Sequence, residues 1–138
     1  MMRFYIASRL ENAARVKTLS EELESWGWKC TYKWFEHGCI LGTGLDLATV
    51  ASEEYCGVVR AELFIALLPG GKGTHIELGI AHMVGCSIVL HSENPAPFNP
   101  AVRETCSFYW LPGVERVCCA WEELPGWLKQ RYFVAVKT

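Results

Sequence analysis

The chain has no apolar run approaching the ~20 residues that a membrane-spanning helix needs. Its first residues, MMRFYIASRL, enter a strand pattern at once and lack the long apolar core of a secretory leader. Neither sign of charge dominates. Thirteen Lys and Arg against fifteen Asp and Glu give a net −2, too little for the basic field that holds duplex nucleic acid or anionic lipid. None of the seven cysteines (Cys30, Cys39, Cys56, Cys86, Cys106, Cys118, Cys119) forms a C-x-x-C pair, the spacing of zinc sites and dithiol redox. Buried free thiols in a reducing cytosol are the expectation. His75 and His82 share a helical face without a third ligand in register, so they read as surface or site-lining side chains and no metal is expected. There is no linker, repeat or low-complexity tract. These absences leave a cytoplasmic protein whose partner is a small molecule, not a nucleic acid polymer or a membrane.

What is present is a chain of 138 residues, 51% apolar. That is enough for one domain, 1–138, hiding roughly 70% of the surface its unfolded form exposes. Residues 3 to 7 (RFYIA) read as a strand. Residues 10 to 26 read as an amphipathic helix with Val16, Leu19, Leu23 and Trp26 in register, closed by Gly27. The alternation in 29 to 34 (KCTYKW) predicts a second strand, and the glycine-bearing 35 to 45 a loop. Asp46 is expected to cap a helix over 47 to 60, whose stripe of Leu47, Val50, Ala51, Val58 and Ala61 includes one carboxylate, Glu54. A strand at 63 to 68, a helix at 74 to 85, a strand at 86 to 90, a proline-rich excursion at 91 to 105, one or two short strands within 106 to 119 and a helix at 121 to 132 complete the pattern. Alternating elements with continuous apolar strands predict an α/β fold, a Rossmann-like parallel sheet of about five strands covered by helices on both faces.

The chain is organised around residues 62 to 89, ELFIALLPGGKGTHIELGIAHMVGCSIV. A strand breaks at Pro69 into Gly70, Gly71, Lys72, Gly73 and Thr74, and a helix follows with Glu77 expected in its first turn. Such a turn permits close approach and positive φ, and with a helix N-terminus it cradles anionic or polyhydroxylic groups. Ligands of open parallel sheets bind beyond the C-terminal strand ends, which gathers Ser8 and Arg9, the 35 to 45 loop and the glycine turn in one place. A carboxylate pair there, Glu77 with Glu54 or Asp46, permits the division of labour of glycoside chemistry: one group attacks an anomeric carbon, the other protonates the leaving group. The plainer readings are a dipole role for Glu77, a solvated Glu54, core packing for Tyr5, and Trp34 or Phe35 as packing rather than base-stacking groups.

The segments Tyr5-Ile6-Ala7-Ser8, 61 to 66 (AELFIA) and 73 to 81 (GTHIELGIA) resemble the nucleoside 2-deoxyribosyltransferase superfamily, which includes 2′-deoxynucleoside 5′-monophosphate N-hydrolases. The resemblance implies a flavodoxin-like fold and a homodimer or larger homo-oligomer. It also implies cleavage or exchange of an N-glycosidic bond without a cofactor. It puts the nucleophile at Glu77 and the Tyr that positions it at Tyr5. The family's helix Asp falls on Glu54, one methylene longer. A Ser of the monophosphate hydrolases falls on Gly71, leaving a phosphate to backbone amides of Gly70, Gly71 and Gly73, to Thr74, and to Ser8 or Arg9. Asn99 matches the residue that the family lends to a neighbouring subunit's site. Residues 69 to 77 (PGGKGTHIE) also resemble the PGGxGTxxE signature of cytokinin-activating nucleotide phosphoribohydrolases, which points to ribose rather than deoxyribose. The rival readings are a nucleotide-binding module without turnover and a scaffold that uses only the fold.

Overall fold

The computed structural model describes residues 1–37 and 42–133. Five parallel strands make one sheet in the order β2-β1-β3-β4-β5: β1 (Arg3–Ser8), β2 (Lys29–Cys30), β3 (Leu63–Leu67), β4 (Ser87–Ser92) and β5 (Val114–Cys118). The four main helices are α1 (Ala13–Ser25), α2 (Gly44–Arg60), α3 (Lys72–Val84) and α4 (Leu124–Tyr132). From β1 the chain crosses first to one side, to β2, and then, after β2, moves to the other side through β3, β4 and β5. Right-handed crossovers therefore put α1 and α4 on one face and α2 and α3 on the opposite face. This is the doubly covered parallel sheet expected from the alternating pattern, in the flavodoxin-like arrangement that the resemblance implies. All five residues of β3 are buried, as a central strand covered on both faces requires.

Several boundaries differ from the expectations, each for a local reason. The second strand ends at Cys30 because the chain turns inward: the Trp34 indole N–H donates to the Ile6 carbonyl at 2.7 Å, opening a short 3-10 turn, Trp34–Glu36. Part of the expected 35 to 45 loop, residues 38 to 41, lies outside the described residues. α2 starts before Asp46. Thr43 is its N-cap, and Asp46, three residues on, completes a capping box by accepting from the Thr43 amide at 3.1 Å. Residues 106 to 110 hold a 3-10 turn, Ser107–Trp110, so of the two candidate strands in that region only β5 forms.

The apolar stripe of α2 is not buried along its length. Only Gly57 and Val58 of that helix are buried, with Ala61 just after it, whereas Leu47 is 48% exposed. α3 begins at Lys72, two residues earlier than the pattern suggested, with Gly71 as its N-cap. Glu77 is thus the sixth residue of α3 and lies past its first turn, on the buried side. A dipole role fades within the first turn and does not account for a carboxylate there. No helix among the described residues is long and apolar enough to cross a membrane.

Candidate active site

β1 and β3 pair in register from Phe4↔Leu63 to Ser8↔Leu67, so the turns leaving both strands emerge side by side at the point where the strand order reverses. A cleft of about 330 Å³ opens there. Ser8, Arg9 and Glu11 form one wall, Gly71, Gly73 and Thr74 another, and Trp34, Glu54 and Glu77 the remainder.

At its floor Tyr5, which is fully buried, donates its hydroxyl to Glu77 Oε2 at 2.7 Å. Its ring stacks on Phe64, its register partner on β3, with centroids 6.1 Å apart. Glu77 is 7% exposed. Burial raises its carboxyl most, and a hydrogen bond shared with Glu54 raises it further; the Tyr5 hydroxyl works in the other direction, and the balance stands at about 9. With its carboxyl raised this far, Glu77 keeps its proton near neutral pH. The Tyr5 hydroxyl is itself held far above its ordinary value, by burial first and by Glu77 second, so it stays a donor. Asp46 takes no part in this cluster; its carboxylate is engaged in the capping box of α2.

The glycine turn follows a cis Leu68–Pro69 bond. None of its glycines uses the positive φ that such a turn permits; among the described residues the glycines that do are Gly27, Gly85 and Gly113. Gly70 is there for close approach, since a Cβ on it would lie 2.6 Å from Thr74 Cγ2. A Cβ on Gly71 would make an ordinary contact with Arg9 Cβ at 3.8 Å, and Gly73 faces open space. The Gly71 N–H donates to Thr74 Oγ1 at 3.1 Å, so that amide and hydroxyl are satisfied internally and the free donors of the turn are the amides that follow. Ser8 Oγ donates to the Leu67 carbonyl at 2.7 Å and accepts from Asn12 Nδ2 at 2.8 Å, tying the ends of β1 and β3 together. Arg9 lies at the exposed rim, 3.6 Å from Glu11. Asn99 lies elsewhere. It is exposed, and its Oδ1 accepts from the Ala101 amide at 2.9 Å in its own turn.

Two features were not expected from the sequence. Glu11 joins the rim, and His75, read only as a surface or site-lining group, braces the turn: its Nδ1 meets the Gly71 carbonyl and its Nε2 the Tyr109 hydroxyl, both at 2.7 Å. A neutral imidazole carrying its proton on Nδ1 satisfies both contacts. The aromatic spacing in 107 to 110 (SFYW) gives the only hint of this in the sequence, because the bond spans 34 residues. A second cavity of about 420 Å³ lies beyond the turn against His75, Ser92, Arg103 and Tyr109, and neither carboxylate of the pair lines it.

No family model matches the chain, and no curated protein matches it in sequence. Solved structures do share its fold. A CMP N-glycosidase of Clostridium botulinum superposes with a TM-score of 0.65 at 21% identity, over 94% of this chain and 98% of that one. A conserved protein of Enterococcus faecalis V583 gives 0.63 at 20% identity, over 95% and 99%. A 2-deoxyribosyltransferase of Bacillus psychrosaccharolyticus gives 0.62 at 16% identity, over 89% and 90%.

Proposed function

We propose that the chain is an enzyme that cleaves or transfers the N-glycosidic bond of a nucleoside or its 5′-monophosphate, with Glu77 attacking C1′. The observation that carries this reading is the buried Tyr5–Glu77 hydrogen bond at the floor of the switch-point cleft, with the half-buried Glu54 beside it. Two of the solved structures of the same fold, described as an N-glycosidase and a 2-deoxyribosyltransferase, support the same reaction class.

The cluster supplies each role. Glu77 passes its proton to Glu54, and the Tyr5 hydrogen bond stabilises the carboxylate that results. A Glu77 oxygen then bonds to C1′ as the bond from C1′ to the base nitrogen breaks, and Glu54 protonates the departing base. In the second step water, or a second base, adds to C1′ as the bond to Glu77 breaks. The proton of the incoming group goes to Glu54 and from there back to the released Glu77 carboxylate, restoring the starting state. A hydrogen-bonded carboxyl pair leaves no room between its members for a nucleophilic water, which favours this covalent route over direct inversion. Burial of Tyr5 and Glu77 strengthens these electrostatic effects by excluding water. Trp34 is a wall against which a base stacks, and Arg9 with the Gly73 amide faces the 5′ end of the sugar. Asn99 serves the site of a second copy of the chain, in a homodimer.

The test is release of free base from a panel of ribo- and deoxyribonucleosides and their monophosphates. Release by wild type with loss of at least roughly 10³-fold in Glu77→Ala is expected. Release that persists in Glu77→Ala would sink the nucleophile assignment, and tight nucleotide binding without release would favour a binding module instead.

A further inference from the structure

α2 meets the sheet over a very short span, with only Gly57 and Val58 buried in its 17 residues. Glu54 stands one turn earlier on the same helix, and the Tyr5 ring lies against Gly57 itself. A Cβ built on Gly57 would lie 2.9 Å from Tyr32 Cβ, 3.1 Å from Tyr5 Cδ2 and 3.2 Å from Tyr5 Cε2. None of these atoms is free to swing aside. Tyr32 Cβ moves only with its backbone, and the Tyr5 ring is enclosed, stacked on Phe64 and tethered through its hydroxyl to Glu77. The Gly57 carbonyl is fixed too, accepting from Thr31 Oγ1 at 2.7 Å.

Glycine inside a helix costs about 1 kcal/mol relative to alanine, so its place in the middle of α2 calls for a packing reason. Gly44 at the start of the same helix, and Gly79 and Gly126 in α3 and α4, have nothing within 4 Å of a built Cβ. Gly57 is therefore set apart from the other glycines of the main helices by what it touches.

We propose that Gly57 is a positioning residue: its missing Cβ fixes how closely α2 rests on the Tyr5 ring, and thereby holds Glu54, Tyr5 and Glu77 in one hydrogen-bonded cluster. A methyl group at this position lifts α2 or tilts the Tyr5 ring. Lifting α2 carries Glu54 away from Glu77, and tilting the ring lengthens the hydrogen bond from Tyr5. Either shift separates groups that act only at hydrogen-bond range. For its kinetic consequence the inference rests on the N-glycosidase reading; for the geometry of the cluster it does not.

The experiment pairs two readouts on Gly57→Ala, one of which needs no substrate. With carbon-13 at the glutamate carboxyls, the NMR titration of Glu77 is expected to move down in pH by about 1 or more, as Glu54 withdraws and water enters. On any nucleoside or nucleotide that wild type hydrolyses, kcat is expected to fall about 10- to 100-fold while KM changes by less than about threefold. Gly44→Ala, in the same helix but in open space, should leave both unchanged. Thr31→Val, which frees the Gly57 carbonyl without adding bulk, should move the titration in the same direction by less, and it decides the matter if Gly57→Ala does not fold. A folded Gly57→Ala with the wild-type titration overturns the proposal, whether or not kcat falls; so does an unchanged Thr31→Val titration where that variant has to decide. If wild type releases no base from the panel while the titration still moves, the enzyme reading fails and the positioning role stands.

Discussion

Glu77 shows how one residue can be costly to the fold and useful to a site. Its carboxyl is lifted from an ordinary 4.5 to about 9, by burial before anything else and by Glu54 next. Between those two values the folded chain binds more protons at this position than the unfolded chain. The stability that comes from keeping Glu77 neutral is therefore complete below 4.5 and is lost as pH rises through about 9. Glu77→Gln keeps the shape and removes the titration. Thermal unfolding should show Glu77→Gln melting with wild type near pH 4 and above it by several degrees near pH 9, since roughly 1 kcal/mol moves Tm by about 2–8 °C in chains of this order of size. Parallel Tm curves across that range would mean that the pair is not buried as described. Tyr5 shares the tension: its hydroxyl stays protonated under burial and donates to the carboxylate that the rest of the site disfavours.

At the scale of elements, α2 and α3 carry both the site and an unused face. α2 supplies Glu54 and Gly57, α3 supplies Glu77, and the two helices pack together on one side of the sheet. Their outer surfaces keep apolar residues in solvent: Tyr55 is 53% exposed, Ile76 66% and Met83 83%. Apolar patches of this kind mark association surfaces, and a second copy of the chain is the occupant that the homodimer reading requires. Light scattering should give twice the 15.5 kDa chain mass for wild type and the single mass for Leu47→Asp with Met83→Asp. A monomeric wild type at micromolar concentration would remove the second copy, and with it the role of Asn99. The elements themselves were largely legible from hydrophobic period: α1 buries Val16, Leu19 and Leu23 as its spacing demands, and β3 and β4 follow their apolar runs. The errors fell where a side chain overrode local pattern. Trp34 ended β2 by reaching back to Ile6, and the candidate strand at 106 to 110 became a 3-10 turn whose Tyr109 reaches His75.

At the scale of the whole molecule, the site exists because parallel topology brings distant segments together. Tyr5 and Glu77 are 72 residues apart in sequence and share a hydrogen bond. Topology alone was enough to collect Ser8, Arg9 and the glycine turn at one end of the sheet, and this much could be read before any coordinates. Pair contacts could not be read in that way. Glu54 lies on an apolar stripe that suggested either burial or solvent, and only the packing of α2 on Tyr5 sets it beside Glu77. The phosphate expectation also changed in detail, because Thr74 takes up the Gly71 amide that was to serve a ligand. The central claim is that Glu77 bonds to the sugar during turnover. The most direct test is acid quenching of wild type in mid-reaction, with a hydrolysed nucleoside or nucleotide in excess, followed by peptide mass spectrometry. The expected result is one added glycosyl group on the peptide containing Glu77, absent from Glu77→Gln; base release with the adduct on any other residue would contradict the account.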